Sequence, residues 1–163
     1  MGYNINSIKM IISDIDGVWT DGCVYIGNEN YEMKKFNEND GFGVALLRVS
    51  GIKLALISGR KSIATELRAE ELKIDDLYNG TLNKIIPYEE LKLKYNLEDS
   101  EIAYVGDDMI DIPVMDKVAV PIATQNAVDL CKKASVHVTD KNGGEGAFRE
   151  AVEWILNLSL IHI

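Results

Sequence analysis

The chain has 163 residues, with 17 Lys and Arg against 26 Asp and Glu and a formal net charge of -9. That length suits one domain, and the acidic balance speaks against a sequence-independent grip on a phosphate backbone, so nucleic acid is not an expected partner. Cys23 and Cys131 lie far apart with no CxxC pattern, which gives neither a disulfide framework nor a zinc site and fits a reducing cytoplasm.

Taken in chain order, the first element is the apolar run at 8–12, which reads as a buried parallel strand ending at Ser13 and delivering Asp14-Ile15-Asp16-Gly17 at its carboxyl end. Two short strands follow at 23–26 and 31–36, joined by the turn Gly27-Asn28-Glu29-Asn30. This hairpin carries Val24, Tyr25, Ile26, Tyr31, Met33 and Phe36, more apolar surface than a solvated flap tolerates, so it calls for a cover: its own domain or copies from other subunits. Further strands are expected at 52–57, 102–105, 118–122 and 136–138, and helices at 41–49, 62–72, 83–95, 110–117, 127–133 and 147–158. The alternation predicts an α/β fold, a doubly wound parallel sheet with helices on both faces, in one domain spanning 1–163. No apolar stretch reaches the roughly 20 residues of a membrane span, and the N-terminus lacks a secretory signal pattern.

Three strand ends then converge. The first brings Asp14 and Asp16, the second Ser58-Gly59-Arg60-Lys61, and the third Gly106-Asp107-Asp108, with Asp111 one helical turn on. Carboxylates this crowded require a cation, and a hard divalent ion with oxygen ligands is the usual partner. Mg²⁺ is expected rather than calcium, because no EF-hand loop occurs and Mg²⁺ pairs one or two carboxylates with waters and a phosphate. With a hydroxyl and a lysine nearby, the set points to phosphoryl transfer. Asp14 is the candidate nucleophile and Asp16 the general acid and base; Ser58 and Lys84 are candidate phosphate donors.

In order, Asp14-Ile15-Asp16-Gly17-Val18-x-Thr20, Ser58, Lys84 and Gly106-Asp107-Asp108-x-x-Asp111 resemble the four motifs of the haloacid dehalogenase phosphohydrolase superfamily. The resemblance implies Asp14 as nucleophile, Asp16 as acid and base, and Mg²⁺ held by Asp14, the Asp16 main-chain carbonyl and Asp107. A narrower likeness covers almost the whole chain. Val18-Trp19-Thr20-Asp21-Gly22, the hairpin, Phe36-Asn37-x-x-Asp40-Gly41, Ser58-Gly59-Arg60-Lys61 and Gly143-Gly144-x-Gly146-Ala147-x-Arg149-Glu150 are similar to the 3-deoxy-D-manno-octulosonate 8-phosphate phosphatases. That family lacks a cap domain and forms a homotetramer through an inter-subunit sheet of hairpins. It serves the synthesis of surface carbohydrate such as lipopolysaccharide.

The same likeness implies as substrate a small phosphorylated keto-sugar acid, with Gly59 and Arg60 on its side of the site; Arg68, on the following helix, is a second candidate, acting across a subunit boundary or else pairing with nearby Glu residues of its own helix. An arginine here can grip a keto-acid carboxylate bidentately. Trp19 points elsewhere, because a smaller aliphatic residue is common there in octulosonate phosphatases and the same Trp occurs in relatives acting on nonulosonate 9-phosphates. A phospho-receiver domain is a further alternative with similar groups, but receivers place the hydroxyl and lysine after the acidic cluster, whereas Ser58 and Lys84 precede Asp107.

Overall fold

A parallel strand covered by helices on both sides is apolar on both faces, and the computed structural model, which describes residues 7–29, 31–74 and 76–160, has such fully buried strands at the centre of its sheet. The strands are β1 (Met10–Ser13), β2 (Tyr25–Ile26), β3 (Glu32–Met33), β4 (Lys53–Ser58), β5 (Asp76–Asn79), β6 (Ile102–Gly106), β7 (Val120–Ala123) and β8 (His137–Val138). The helices are α1 (Glu38–Ser50), α2 (Ile63–Glu71), α3 (Ile85–Tyr95), α4 (Ile112–Met115), α5 (Asp129–Lys133) and α6 (Ala147–Leu160). Six parallel strands form one sheet in the order β5-β4-β1-β6-β7-β8.

Alternation along β1 sends Ile11 to one face, where Leu47 of α1, Ala69 of α2 and Phe148 and Val152 of α6 cover it. Met10 and Ile12 go to the other face, against Tyr88 and Leu91 of α3, Met115 of α4 and Cys131 of α5. The expected doubly wound sheet is therefore present. Ser13 is level with Leu56 of β4 on one side and Val105 of β6 on the other. The chain winds outward from β1 through β4 to β5, then returns to β6 and winds the opposite way. The crevice beyond the carboxyl ends of β1 and β6 is thus the topological switch point, where ligands bind in such sheets.

The hairpin strands expected at 23–26 and 31–36 are shorter, β2 and β3, and three further elements differ from expectation for physical reasons. Strand β5, Asp-Leu-Tyr-Asn, was not anticipated because it is an edge strand with little apolar character; its Asp76 is buried and accepts from Lys94 Nζ at 2.5 Å and from the Tyr95 hydroxyl. Helix α1 begins three residues before the expected start at Gly41, because Asn37 caps it by accepting from Asn39 N at 2.9 Å. Helix α4 is shorter than the expected 110–117, and Pro113 lies in its first turn.

The hairpin forms a separate two-stranded antiparallel sheet. Its apolar side chains Tyr25, Ile26, Tyr31 and Met33 are exposed, Ile26 to 77%, whereas Phe36 packs on the core. Of the apolar tail at 158–163, the last three residues lie outside the described residues, as does Asn30 of the hairpin turn. Among the described residues, no helix is long and apolar enough to cross a membrane.

Candidate active site

The segment after β1 is shaped by its neighbours. Asp14 N donates to Val105 O at 2.9 Å, which carries the β1–β6 pairing one residue past the strand. The chain then turns, with Val18, Trp19 and Thr20 amides all donating to Ile15 O. Gly17 has φ of 88°, and a Cβ there would fall 1.9 Å from Asp107 Oδ2, so only glycine lets the Asp14–Asp16 segment approach the third strand end.

The glycine loop before α6 supports this turn from behind. Gly144 N donates to Val18 O at 3.2 Å, and a Cβ on Gly143 would fall 1.9 Å from Gly17 O. Asn126 bridges the two segments by donating to Gly17 O at 3.0 Å and accepting from Gly143 N at 2.5 Å. These glycines therefore serve close packing of backbone on backbone.

The second strand end supplies Ser58, fully buried, whose Oγ donates to Arg60 O at 2.9 Å and lies 3.4 Å from Asp16 Oδ2. Its carbonyl accepts from both Gly80 N and Thr81 N at 2.9 Å, which ties the following loop to the site and delivers Lys84 at the start of α3. Lys84 is fully buried. Its Nζ lies 2.9 Å from Asp14 Oδ1 and 2.7 Å from Asp111 Oδ1. Burial works against its charge, but the carboxylates of Asp14 and Asp111 outweigh that cost and raise its pKa.

Asp111 holds the third strand end together. Its Oδ1 accepts from Lys84 and from the Tyr104 hydroxyl at 2.6 Å; its Oδ2 accepts from Asp107 N at 3.0 Å and Asp108 N at 3.1 Å. Gly106 permits this, because a Cβ there would sit 2.7 Å from Asp111 Cγ. Carboxylate oxygens of Asp14, Asp107 and Asp111 lie within 4.8 Å of one another, the spacing of a metal site. With four donors on its two oxygens Asp111 is saturated, whereas Asp107 Oδ1 is buried with no hydrogen-bond partner among the described residues. Asp14 and Asp107 are the members that fit a cation. Burial raises both of their pKa values, and the charge of Asp111 adds to the rise. A divalent ion relieves that strain, so the residues present suit Mg²⁺.

Asp14, Asp16, Asp107 and Asp108 line an open pocket of about 270 Å³ together with Val24 of the hairpin, Leu82, Ile110, Gly59 and Arg60. The structure thus brings together Asp14, Asp16, Ser58, Gly59, Arg60, Lys84 and Asp107. Arg60 is already paired, 2.6 Å from Glu32 of the hairpin. Arg68 does not line this pocket: its guanidinium contacts Glu71 at 2.8 Å and Asn37 O at 3.4 Å, joining α2 to the start of α1. Trp19 also lies elsewhere, buried against Phe148 with ring centroids 4.2 Å apart and donating to Ser13 Oγ. Its size is therefore a matter of core packing rather than of sugar recognition. A second cavity, of about 230 Å³, lies by the amino ends of β4 and β5 and holds none of these groups.

Two features escaped the sequence reading. The sequence places Asp111 one turn beyond the third strand end without assigning it a role, although its i+4 spacing from Asp107 signals a carboxylate capping that turn. Lys34, unremarked in the hairpin, reaches Asp16 Oδ1 at 2.6 Å with its side chain fully buried. The one available signal is that Glu32 and Lys34 alternate with Met33, two charges on one strand face.

Fold and site together define a haloacid dehalogenase-like hydrolase, the family whose model residues 73–150 match. Its relatives make this chain a phosphoric monoester hydrolase. The Yersinia pestis 3-deoxy-D-manno-octulosonate 8-phosphate phosphatase KdsC is 41% identical over 150 residues, which cover 92% of this chain and 80% of that one, and the Escherichia coli K12 enzyme gives the same figures. The crystal structure of the Yersinia pestis phosphatase superposes with a TM-score of 0.92 at 40% identity, covering 95% of this chain and 83% of that one. The Moraxella catarrhalis enzyme, in complex with magnesium, phosphate and KDO, gives 0.91 at 36% identity over 94% and 88%. The chain belongs to the 3-deoxy-D-manno-octulosonate 8-phosphate phosphatase family.

Proposed function

We propose that this protein hydrolyses 3-deoxy-D-manno-octulosonate 8-phosphate to the free sugar acid and phosphate, with Mg²⁺ as cofactor. The observation that carries this reading is buried Lys84 between Asp14 and Asp111, behind a pocket that Asp14, Asp16 and Asp107 line, with Ser58 Oγ 3.4 Å from Asp16 Oδ2. Asp14 Oδ1 accepts from Ile15 N at 2.7 Å as well as from Lys84, which fixes the carboxylate for attack. In the first step Asp14 bonds to phosphorus, the ester P–O bond breaks, and Asp16 gives its proton to the departing sugar oxygen. In the second, water attacks phosphorus, Asp16 takes the water proton, and the bond from Asp14 to phosphorus breaks. Ser58 and Lys84 donate to phosphate oxygens throughout.

Asp14, Asp107 and the main-chain carbonyl of Asp16 would hold Mg²⁺, which when bound offsets negative charge on the phosphate. Gly59 and Arg60 take the sugar-acid side. Arg68, which does not line the pocket of its own chain, reaches substrate across a subunit boundary. The protein works as a single domain, 1–163, without a cap and with the hairpin at about 23–36 inserted. Exposed Tyr25, Ile26, Tyr31 and Met33 support a homotetramer built on hairpin contacts, which also closes the open pocket. A cytoplasmic site is supported by free Cys23 and Cys131, and the product feeds surface carbohydrate such as lipopolysaccharide.

Side-by-side assay of octulosonate 8-phosphate, nonulosonate 9-phosphates and hexose phosphates tests this. The octulosonate ester is expected to have the highest kcat/KM, with activity lost on chelation and restored by Mg²⁺. A higher kcat/KM for a nonulosonate ester would reject the substrate, and turnover indifferent to chelation would reject the cofactor.

A further inference from the structure

The inner face of the hairpin is polar. Glu32 of β3 and Lys34, the first residue past its end, both contact the domain, while Met33 between them is half exposed. Glu32 accepts from Arg60 Nη2 and from Ser62 Oγ, each at 2.6 Å. Lys34 Nζ donates to Thr65 Oγ1 of α2 at 3.2 Å and lies 2.6 Å from Asp16 Oδ1. The Lys34 side chain is fully buried although its residue belongs to an insertion whose outer face is in solvent.

A buried ammonium is costly unless something requires it. Its partner here is the acid and base of the proposed reaction. Asp16 Oδ1 is buried with no directed hydrogen bond among the described residues, so the charge of Lys34 is what holds it. The Asp16 side chain is nevertheless 27% exposed and lines the pocket, which leaves Oδ2, 3.4 Å from Ser58 Oγ, as the oxygen that faces substrate.

We propose that Lys34 is a positioning residue: through its contact with Oδ1 the hairpin fixes the Asp16 carboxyl so that Oδ2 alone exchanges the proton. This rests on the phosphatase reading above. During the first step the Oδ2 proton goes to the sugar oxygen as the P–O bond breaks, and Lys34 stands beside the carboxylate that results. During the second, Oδ2 recovers a proton from the attacking water. Lys34 itself neither gains nor loses one. The inserted hairpin thereby contributes to the chemistry of its own chain as well as to any contact with a neighbour.

A change of leaving group separates positioning from a merely structural role. An alkoxide such as the sugar oxygen needs a proton to depart, whereas p-nitrophenolate departs without one, and kcat/KM reports the step in which the leaving group is lost. For Lys34→Met, kcat/KM on octulosonate 8-phosphate is expected to fall about 100-fold or more, the usual worth of a placed general acid. On p-nitrophenyl phosphate it is expected to fall by no more than about threefold, because the acid is then dispensable. Lys34→Arg should recover part of the sugar-ester activity, and Lys35→Met, at an exposed neighbour, should match wild type on both esters. If Lys34→Met does not fold, as judged by its far-UV spectrum and melting curve, Lys34→Gln carries the same comparison with little change in bulk. Equal losses on the two esters, or none on either, would overturn the proposal. Failure of wild type to hydrolyse any phosphate ester would instead overturn the phosphatase reading.

Discussion

Lys84 Nζ lies 2.7 Å from Asp111 Oδ1, and both side chains are fully buried. A lone lysine there would be expelled; a lone aspartate would be neutralised. Asp111 spans two elements, since the same carboxylate takes the Asp107 and Asp108 amides. Asp111→Ala leaves the ammonium, the Tyr104 hydroxyl and two amides without this partner, so it is expected to cost about 3–5 kcal/mol in urea unfolding, the cost of breaking a buried pair. A loss under about 1 kcal/mol would show that the cluster relaxes around the gap.

Metal binding should stabilise the fold in a pH-dependent way. Protons compete with the cation for Asp14 and Asp107, whose pKa values burial raises, so the apparent affinity falls as pH falls. The increase in Tm on adding Mg²⁺ is therefore expected to be large at about pH 8 and to shrink by about pH 6. An increase that is flat with pH, or grows on acidification, would contradict the assignment of these two ligands.

Arg60 supplies the test of substrate recognition. Its guanidinium is held by Glu32 and its residue lines the pocket, where we propose that it meets the keto-acid carboxylate. Arg60→Ala should raise KM about 10–100-fold for octulosonate 8-phosphate, the worth of a charge-assisted hydrogen bond, and leave hexose phosphates unchanged. Equal effects on both would assign Arg60 to the architecture of the loop.

Subunit association tests the outer face of the hairpin. Ile26, 77% exposed, is a poor neighbour for water and a good one for another hairpin. Ile26→Lys is expected to shift the light-scattering mass from tetramer toward monomer at micromolar concentration. A monomeric wild-type protein would contradict the assembly.

The site was legible in the sequence because strands buried on both faces are written as apolar runs, and Asp14, Ser58 and Asp107 stand at the ends of three of them. The order β4-β1-β6 then places those ends side by side. Edge strand β5 lacked such a run, since its Asp76 is accommodated by Lys94 and Tyr95, partners 18 and 19 residues away. Lys34 was hidden for the same reason. Its burial depends on the hairpin folding back over Asp16 and Thr65, a tertiary event that no local pattern of charge announces. Trp19 is the reverse case: its identity is shared with nonulosonate relatives, while its indole packs in the core beside Phe148.

The central claim is that Asp14 carries the phosphoryl group. Acid quenching of turnover with radiolabelled substrate, followed by peptide mapping, tests it most directly. Label is expected transiently on the peptide containing Asp14, absent in Asp14→Asn, and accumulating in Asp16→Asn when p-nitrophenyl phosphate is the donor. Turnover with no label on the protein at any time, or label on another residue, would contradict it.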